Sequence, residues 1–238
     1  MQWQIWQDPE LVSRFTDRRR GGLLGGAVQT ETLLRLLSVV ASESLTVLDL
    51  GCGDGVLLET VLEARPGARG IALDGSPAML EKARMRLGEN DNVMFIEADF
   101  NTPDWRAKLP YPTYDAVVSG FAIHHSEDKR KRALYEEIYG LLNPGGVFVN
   151  IEHVASASAR GERFFEEAFA ENVARFRQSR GEKVTTDQAL AEMRTRPDKA
   201  ANRLASVETH LAWLREIGFV DVDCYWKHFE LALLAGYR

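Results

Sequence analysis

The 238-residue sequence contains only two cysteines, Cys52 and Cys224. They stand far apart and match no metal-ligand or redox spacing, so a reduced, cytoplasmic setting is expected. No apolar run approaches the length that crosses a bilayer, and no membrane partner is expected. The first residues, Met-Gln-Trp-Gln-Ile-Trp, lack a basic leader ahead of an apolar stretch, so no signal peptide is expected. Repeats and low-complexity segments are also missing. Cationic residues do not dominate: 29 Lys and Arg face 35 Asp and Glu, for a net charge of −6. The surface as a whole is therefore no electrostatic trap for nucleic acid, although a local basic patch still has room to form. Apolar residues make up 45% of the chain, enough for a core of normal size. The length fits one large α/β domain, or such a domain with a small cap.

The most informative stretch is Val47-Leu48-Asp49-Leu50-Gly51-Cys52-Gly53-Asp54-Gly55. A short apolar run reads as a buried strand. Glycines at alternate positions read as a tight turn that brings a ligand against backbone, and Val56–Ala64 continues as a helix. The dinucleotide fingerprint G-x-G-x-x-G needs a third glycine where this chain has Val56. The nonapeptide instead resembles the first motif of the class I S-adenosylmethionine-dependent methyltransferases, in which the turn faces the amino-acid end of the cofactor. That resemblance implies that Asp49, Gly51 and Gly53 help hold S-adenosylmethionine. It also implies a Rossmann-like, seven-stranded, mostly parallel α/β sheet with an antiparallel last strand and helices on both faces.

Further along, Ala68–Leu73 reads as strand two and ends at Asp74, where a carboxylate can accept both hydroxyls of an adenosine ribose. Gly75-Ser76-Pro77 supplies an N-cap and a first-turn proline. "ALDGSPAMLEKAR" is similar to the family's second motif, which implies cofactor contacts from Gly75 and places Met79 near the adenine; a core methionine is the alternative. Asn92–Ala98 is strand three, followed by Asp99 and Phe100. In the family this position sets an acid on the adenine amino group and the next backbone amide on a ring nitrogen. An acid after a strand is also an ordinary turn residue.

Tyr114–Ser119 is strand four, and Ser119-Gly120-Phe121-Ala122-Ile123-His124-His125 resembles the family's segment at the carboxyl end of that strand. Ser119 is placed with the cofactor by that resemblance. His124 or His125 is a candidate general base, because imidazole titrates near neutrality. The alternative is that one orients the loop and the other caps the next helix, Ser126–Leu142. "LLNPGGVFVNIEH" resembles the family's turn into strand five, Val147–Ile151. Glu152 and His153 follow at the rim, where either would meet a methyl acceptor or simply form a solvated pair. No histidine or acid pair here has recognised metal spacing, and no metal is expected.

The chain organises as an N-terminal arm or lid over 1–28, a core over 29–154 and 206–238, and a helical cap over 155–205. In the arm, Trp3, Trp6, Leu11 and Phe15 are expected on one face of a short helix, and Arg18–Arg20 run into a glycine-rich joint. Thr30–Val40 is expected as a helix packing beside strand one. The cap is expected to hold helices near 160–179, 185–195 and 197–204, with Phe165, Phe169 and Phe176 close to one face and Phe164 beside them. Ser206–Ile217 closes as a helix before strands Val220–Trp226 and Phe229–Tyr237, joined tightly at Lys227-His228.

The resemblance implies methyl transfer from S-adenosylmethionine to O, N, S or C of a small-molecule acceptor, with His124, His125 and Glu152 as candidate catalytic residues. The Asn-Pro-Pro-Tyr type of motif that marks planar amino groups is missing. With the acidic charge, this turns the expectation away from nucleic acid without excluding RNA. A homodimer is admitted. Two alternatives stand: an enzyme of this fold using a modified sulfonium cofactor on tRNA, whose arm differs from Arg18–Gly26, and a non-catalytic S-adenosylmethionine-binding protein.

Overall fold

The structure is a computed structural model, and it describes residues 2–18, 24–42 and 44–238. Its centre is β1 (Thr46–Leu50), whose residues from Val47 onward are all buried. A strand buried on both faces reads as a continuous apolar run, and this one has helices on either side. The order of the sheet is β3 (Val93–Glu97), β2 (Arg69–Asp74), β1, β4 (Tyr114–Gly120), β5 (Leu142–His153), β7 (Leu231–Tyr237), β6 (Val220–His228). β1 pairs parallel with both neighbours, Leu48 facing Ile71 on one side and Val117 on the other. β7 runs antiparallel to β5 and to β6.

Side-chain alternation along these strands divides the core in two. Val47, Ala72, Val118 and Val149 join Leu33 and Leu37 of α2 (Gly26–Ser38), Leu58 and Val61 of α3 (Val56–Ala64) and Leu80 of α4 (Pro77–Leu87). Leu48, Leu50, Ile71 and Phe148 face the opposite layer, with Leu134 and Ile138 of α5 (Asp128–Leu141) and Leu214 of α8 (Val207–Ile217). The strand order reverses between β1 and β4, so their carboxyl ends diverge and leave a crevice there.

Several boundaries differ from the expectation. β5 runs from Leu142 to His153, because Gly145 N–H donates to Arg238 O (2.7 Å) and Glu152 and His153 still pair with Ala232 and Leu231. Glu152 therefore lies inside a strand, fully buried, and not at a solvated rim. The β6–β7 turn falls at Phe229-Glu230, two residues later than expected, because His228 still pairs with Leu231. α2 begins at Gly26 instead of Thr30. Of the three expected cap helices, α6 (Ala159–Ser179) and α7 (Thr186–Thr195) are α-helical, whereas the third is a short 3₁₀ turn, Pro197–Ala201. Phe165 and Phe169 are buried, Phe164 is exposed, and Phe176 is half-buried with Arg180 over its ring.

The arm divides at Asp8 into a 3₁₀ segment, Gln2–Gln7, and α1 (Pro9–Arg18). Trp6 and Leu11 thus do not share one helix: Leu11 packs into the core while Trp6 points to the crevice. The side chains of Trp3, Phe15 and Arg18, together with Arg19, Arg20 and the glycines Gly21 and Gly22, lie outside the described residues. No helix among the described residues is long and apolar enough to cross a membrane.

Ser76 joins two of these parts. Its hydroxyl oxygen accepts the Met79 N–H as the N-cap of α4, and its O–H donates to Trp6 O (2.6 Å). Ser76→Ala is expected to lower unfolding free energy by about 1 kcal/mol, the usual worth of a cap. Urea unfolding of the purified chain checks this, and an unchanged midpoint would contradict the assigned cap.

Candidate functional site

One cavity opens at the carboxyl ends of β1, β2, β3 and β4. Its first wall is the turn after β1. Gly51 and Cys52 N–H both donate to Leu73 O (2.8 and 2.9 Å), and Gly53 N–H donates to Asp74 Oδ2 (2.9 Å). Gly51 has φ 70° and Gly53 φ 55°, the left-handed region that favours glycine. A Cβ on Gly51 would meet the Ala122 Cβ at 2.4 Å, so the turn after β1 and the loop after β4 are in direct contact. That loop is itself bent at Phe121, a non-glycine residue with φ 54°, whose N–H is held by Ile151 O (2.8 Å). Such residues persist where the surroundings fix them, and they concentrate at functional sites.

The second wall carries acids and apolar side chains. Asp74 Oδ1 accepts Ser76 N–H (2.8 Å) while Oδ2 takes Gly53, so backbone amides orient both oxygens. Burial still raises its pKa from 3.8 to about 6, outweighing the amides. Asp99 Oδ1 accepts the Asn101 backbone and side-chain amides at 2.8 and 2.9 Å. Gly51, Gly53, Asp74, Gly75, Met79, Asp99 and Phe100 all line the cavity. Asp49 and Ser119 do not. Asp49 is buried in β1, and the Ser119 hydroxyl donates to Leu50 O (2.7 Å), a bond that ties β4 to β1.

Histidines form the far end. His124 and His125 sit in a 3₁₀ turn, Ile123–His125, with ring centroids 4.1 Å apart. His125 is engaged on both nitrogens: Trp6 Nε1–H donates to Nε2 (3.0 Å), and Nδ1 faces Ala201 O (3.4 Å). His124 Nδ1 lies 2.6 Å from Glu152 Oε1. Glu152 also accepts the His153 N–H (2.9 Å) and Asn150 Nδ2–H (3.3 Å), so it acts as acceptor and His124 Nδ1 carries the proton. The His124 Nε2 lone pair is left without a hydrogen bond among the described residues. Burial holds the His124 and His125 imidazoliums well below their usual range, and burial raises Glu152. The chain continues inward: Asn150 Nδ2–H donates to Tyr135 Oη (3.0 Å), which is 2.7 Å from His210 Nδ1. Among the described residues, no group of three His, Cys, Asp or Glu side chains is placed to hold a metal.

The helical segment closes the cavity with Phe165, Phe169, Met193, Arg196, Asp198 and Asn202. No periodic signal marks Trp6, Asn101, Arg196 or Asp198 as lining residues, because each reaches the cavity from a 3₁₀ segment or an irregular one.

A family model described as a methyltransferase domain matches residues 47–146. An uncharacterised methyltransferase of Mycobacterium tuberculosis is 34% identical over 115 residues, 48% of this chain and 54% of that protein. Residues 47–146 are thus similar to a methyltransferase domain. The chain thus spans about half the length of the first curated relatives it matches. A carboxy-S-adenosyl-L-methionine synthase of Chromohalobacter salexigens is 25% identical over 242 aligned positions, 97% of this chain and 82% of that protein. Human N-acetylserotonin methyltransferase, solved with S-adenosylmethionine, has the same fold, with a TM-score of 0.61 at 16% identity over 99% of this chain and 58% of that one. The matched residues hold β1 to β4 and the turn that begins the cavity, whereas α6 and α7 lie outside them.

Gly51→Ala in the turn after β1 is expected to cost about 1–3 kcal/mol in the ligand-free chain, from left-handed strain and the Ala122 contact. Thermal unfolding reads the loss, and an unchanged Tm would show that the turn relaxes away from Ala122.

Proposed function

We propose that this chain transfers a methyl group from S-adenosylmethionine to a small-molecule acceptor in the cytoplasm, with His124 as general base. The buried His124–Glu152 pair carries this reading, because it presents a lone pair to the same cavity that the Gly51–Gly53 turn enters. Cys52 and Cys224 form no disulfide, which fits a reducing compartment.

The lining suits the cofactor. Left-handed Gly51 and Gly53 leave backbone bare of Cβ atoms at the cavity wall. Asp74 would accept the ribose hydroxyls, Asp99 the adenine amino group, and Met79 and Phe100 would flank the base. S-adenosylmethionine supplies, when bound, a methyl group on a sulfonium that keeps the electron pair of the broken S–C bond. The chain's own residues then place the acceptor, take its proton and exclude water. Placement alone is worth up to roughly 7–11 kcal/mol when the reacting atoms are held in line. His124 takes the acceptor proton at Nε2, and the positive charge that forms is met at Nδ1–H by Glu152. His125 has no lone pair to offer, and with Trp6 it fixes the loop. The helices α6 and α7 act as a cap that keeps solvent from the acceptor.

A second reading rests on the carboxy-S-adenosyl-L-methionine synthase match, which runs nearly the whole length of this chain, helical segment included. A carboxylated sulfonium would meet Arg196 in the cavity, whose Nε lies 3.6 Å from Asp198 Oδ2. Mass spectrometry of nucleosides extracted from the purified chain separates the two, since the synthase reading requires a carboxylated cofactor.

Methyl transfer from labelled S-adenosylmethionine to a panel of phenols, amines and thiols tests the main reading. His124→Asn is expected to lower kcat by about 10²–10⁴ while leaving S-adenosylhomocysteine affinity within about twofold. Equal loss of affinity would assign His124 to binding. A pH series tests Asp74. Ribose hydroxyls need a carboxylate acceptor, so affinity for S-adenosylhomocysteine should rise as pH increases through about 6, and Asp74→Asn should flatten that rise. A flat wild-type profile would remove Asp74 from the ribose.

A further inference from the structure

A second carboxylate–histidine pair borders the same cavity. His153 Nε2 lies 2.8 Å from Glu230 Oε2, and Glu230 is 4% exposed. Glu230 is fixed by the β6–β7 turn, where its carbonyl accepts Val154 N–H (2.8 Å). A carboxylate can only accept, so His153 carries its proton on Nε2 and its Nδ1 is an acceptor with no hydrogen bond among the described residues. His124 is the mirror case: its Nδ1–H is held by Glu152 and its Nε2 is the acceptor. The two imidazoles meet edge to face with centroids 5.7 Å apart. His153 also lies 5.4 Å from the Phe165 ring, which in turn is 5.6 Å from Phe169. His125, the third histidine here, offers no acceptor because Trp6 occupies it.

We infer that the methyl acceptor is an aromatic ring bearing two neighbouring hydroxyls, a vicinal diphenol, with one hydroxyl bound by His124 and the other by His153. This deepens the proposed methyl transfer and rests on it. One imidazole–carboxylate pair suffices to remove one proton, and a second, facing the same cavity with its own buried acid, matches a ligand with a second O–H donor. Imidazole rings with centroids 5.7 Å apart lie within the span that donors on adjacent carbons reach through hydrogen bonds of ~2.8 Å. The flat apolar body fits between Phe165, Phe169 and the histidine edge. In the reaction the hydroxyl on His124 loses its proton to Nε2 as its oxygen forms the new C–O bond and the sulfonium departs as a neutral thioether. The hydroxyl on His153 keeps its proton and sets the orientation, so one regioisomer forms. His153 is thus a positioning residue for the ring and a specificity determinant.

Calorimetry of the full chain tests this by binding alone. S-adenosylhomocysteine is titrated first, and then catechol, phenol or 1,2-dimethoxybenzene is titrated into the saturated chain. Catechol is expected to bind at least tenfold tighter than phenol, and dimethoxybenzene to give no heat. His153→Phe should bring catechol and phenol within about twofold at unchanged S-adenosylhomocysteine affinity, and His153→Gln, which keeps an acceptor, should restore part of the preference. Equal binding of catechol and phenol by the wild-type chain overturns the inference while the cofactor reading stands. So does a preference that survives in His153→Phe. No heat from S-adenosylhomocysteine in the wild-type chain overturns both.

Discussion

The turn after β1 is pinned to the end of β2, and the rest of the site depends on that constraint. Leu73 O takes two consecutive amides, from Gly51 and Cys52, and Asp74 takes the next at Gly53. Three donors on one strand end fix a left-handed turn that would be strained with any side chain at Gly51. Because the turn is fixed, Ala122 can pack against it. Because Ala122 packs there, the 3₁₀ turn that carries His124 is set at a defined distance from the β1–β2 wall. The positions of both ends of the cavity therefore follow from one set of backbone bonds.

Polar burial gives the far end its chemistry. Glu152 is fully buried and would be costly as a lone charge, yet it accepts N–H groups from His153 and Asn150 and contacts His124. The network reaches His210 through Tyr135, and burial there lowers the histidine to about 4, so it stays neutral at physiological pH. A buried polar network of this kind is rigid only when its members are matched, and it holds His124 in one tautomer. The helical segment is attached at the same place: Arg203 N–H donates to His124 O (2.8 Å), and Lys131, itself fully buried, bonds Asp128 (2.8 Å) and the Arg203 carbonyl. The loop that carries His124 and the segment that closes the cavity are thereby linked.

Most of the sheet was legible because its signals are local. Val47–Gly55 announces strand and turn within nine residues and leads directly into the helix at Val56, and Ser76-Pro77 marks the start of α4. Strand ends were less legible wherever pairing partners decide them. β5 extends to His153 because β7 lies beside it, and no local pattern at Glu152 records that neighbour. The same holds for the β6–β7 turn, where Phe229 with φ 52° replaces the glycine that a sequence reading looks for. Motif positions led to Gly51, Gly53, Asp74, Gly75, Met79, Asp99 and Phe100, which line the cavity, whereas Asp49 and Ser119 lie off it, since a strand residue near a turn can face either way. The pairing of His153 with Glu230 joins residues 77 apart through a strand hairpin, a distance that periodicity cannot bridge.

In the proposed function this turn receives the sulfonium nucleoside and not a dinucleotide. Isothermal titration of the chain with S-adenosylhomocysteine and, separately, with NAD tests it most directly. Single-site binding of S-adenosylhomocysteine and no heat from NAD are expected. Binding of NAD without S-adenosylhomocysteine would contradict it and return the turn to the dehydrogenases.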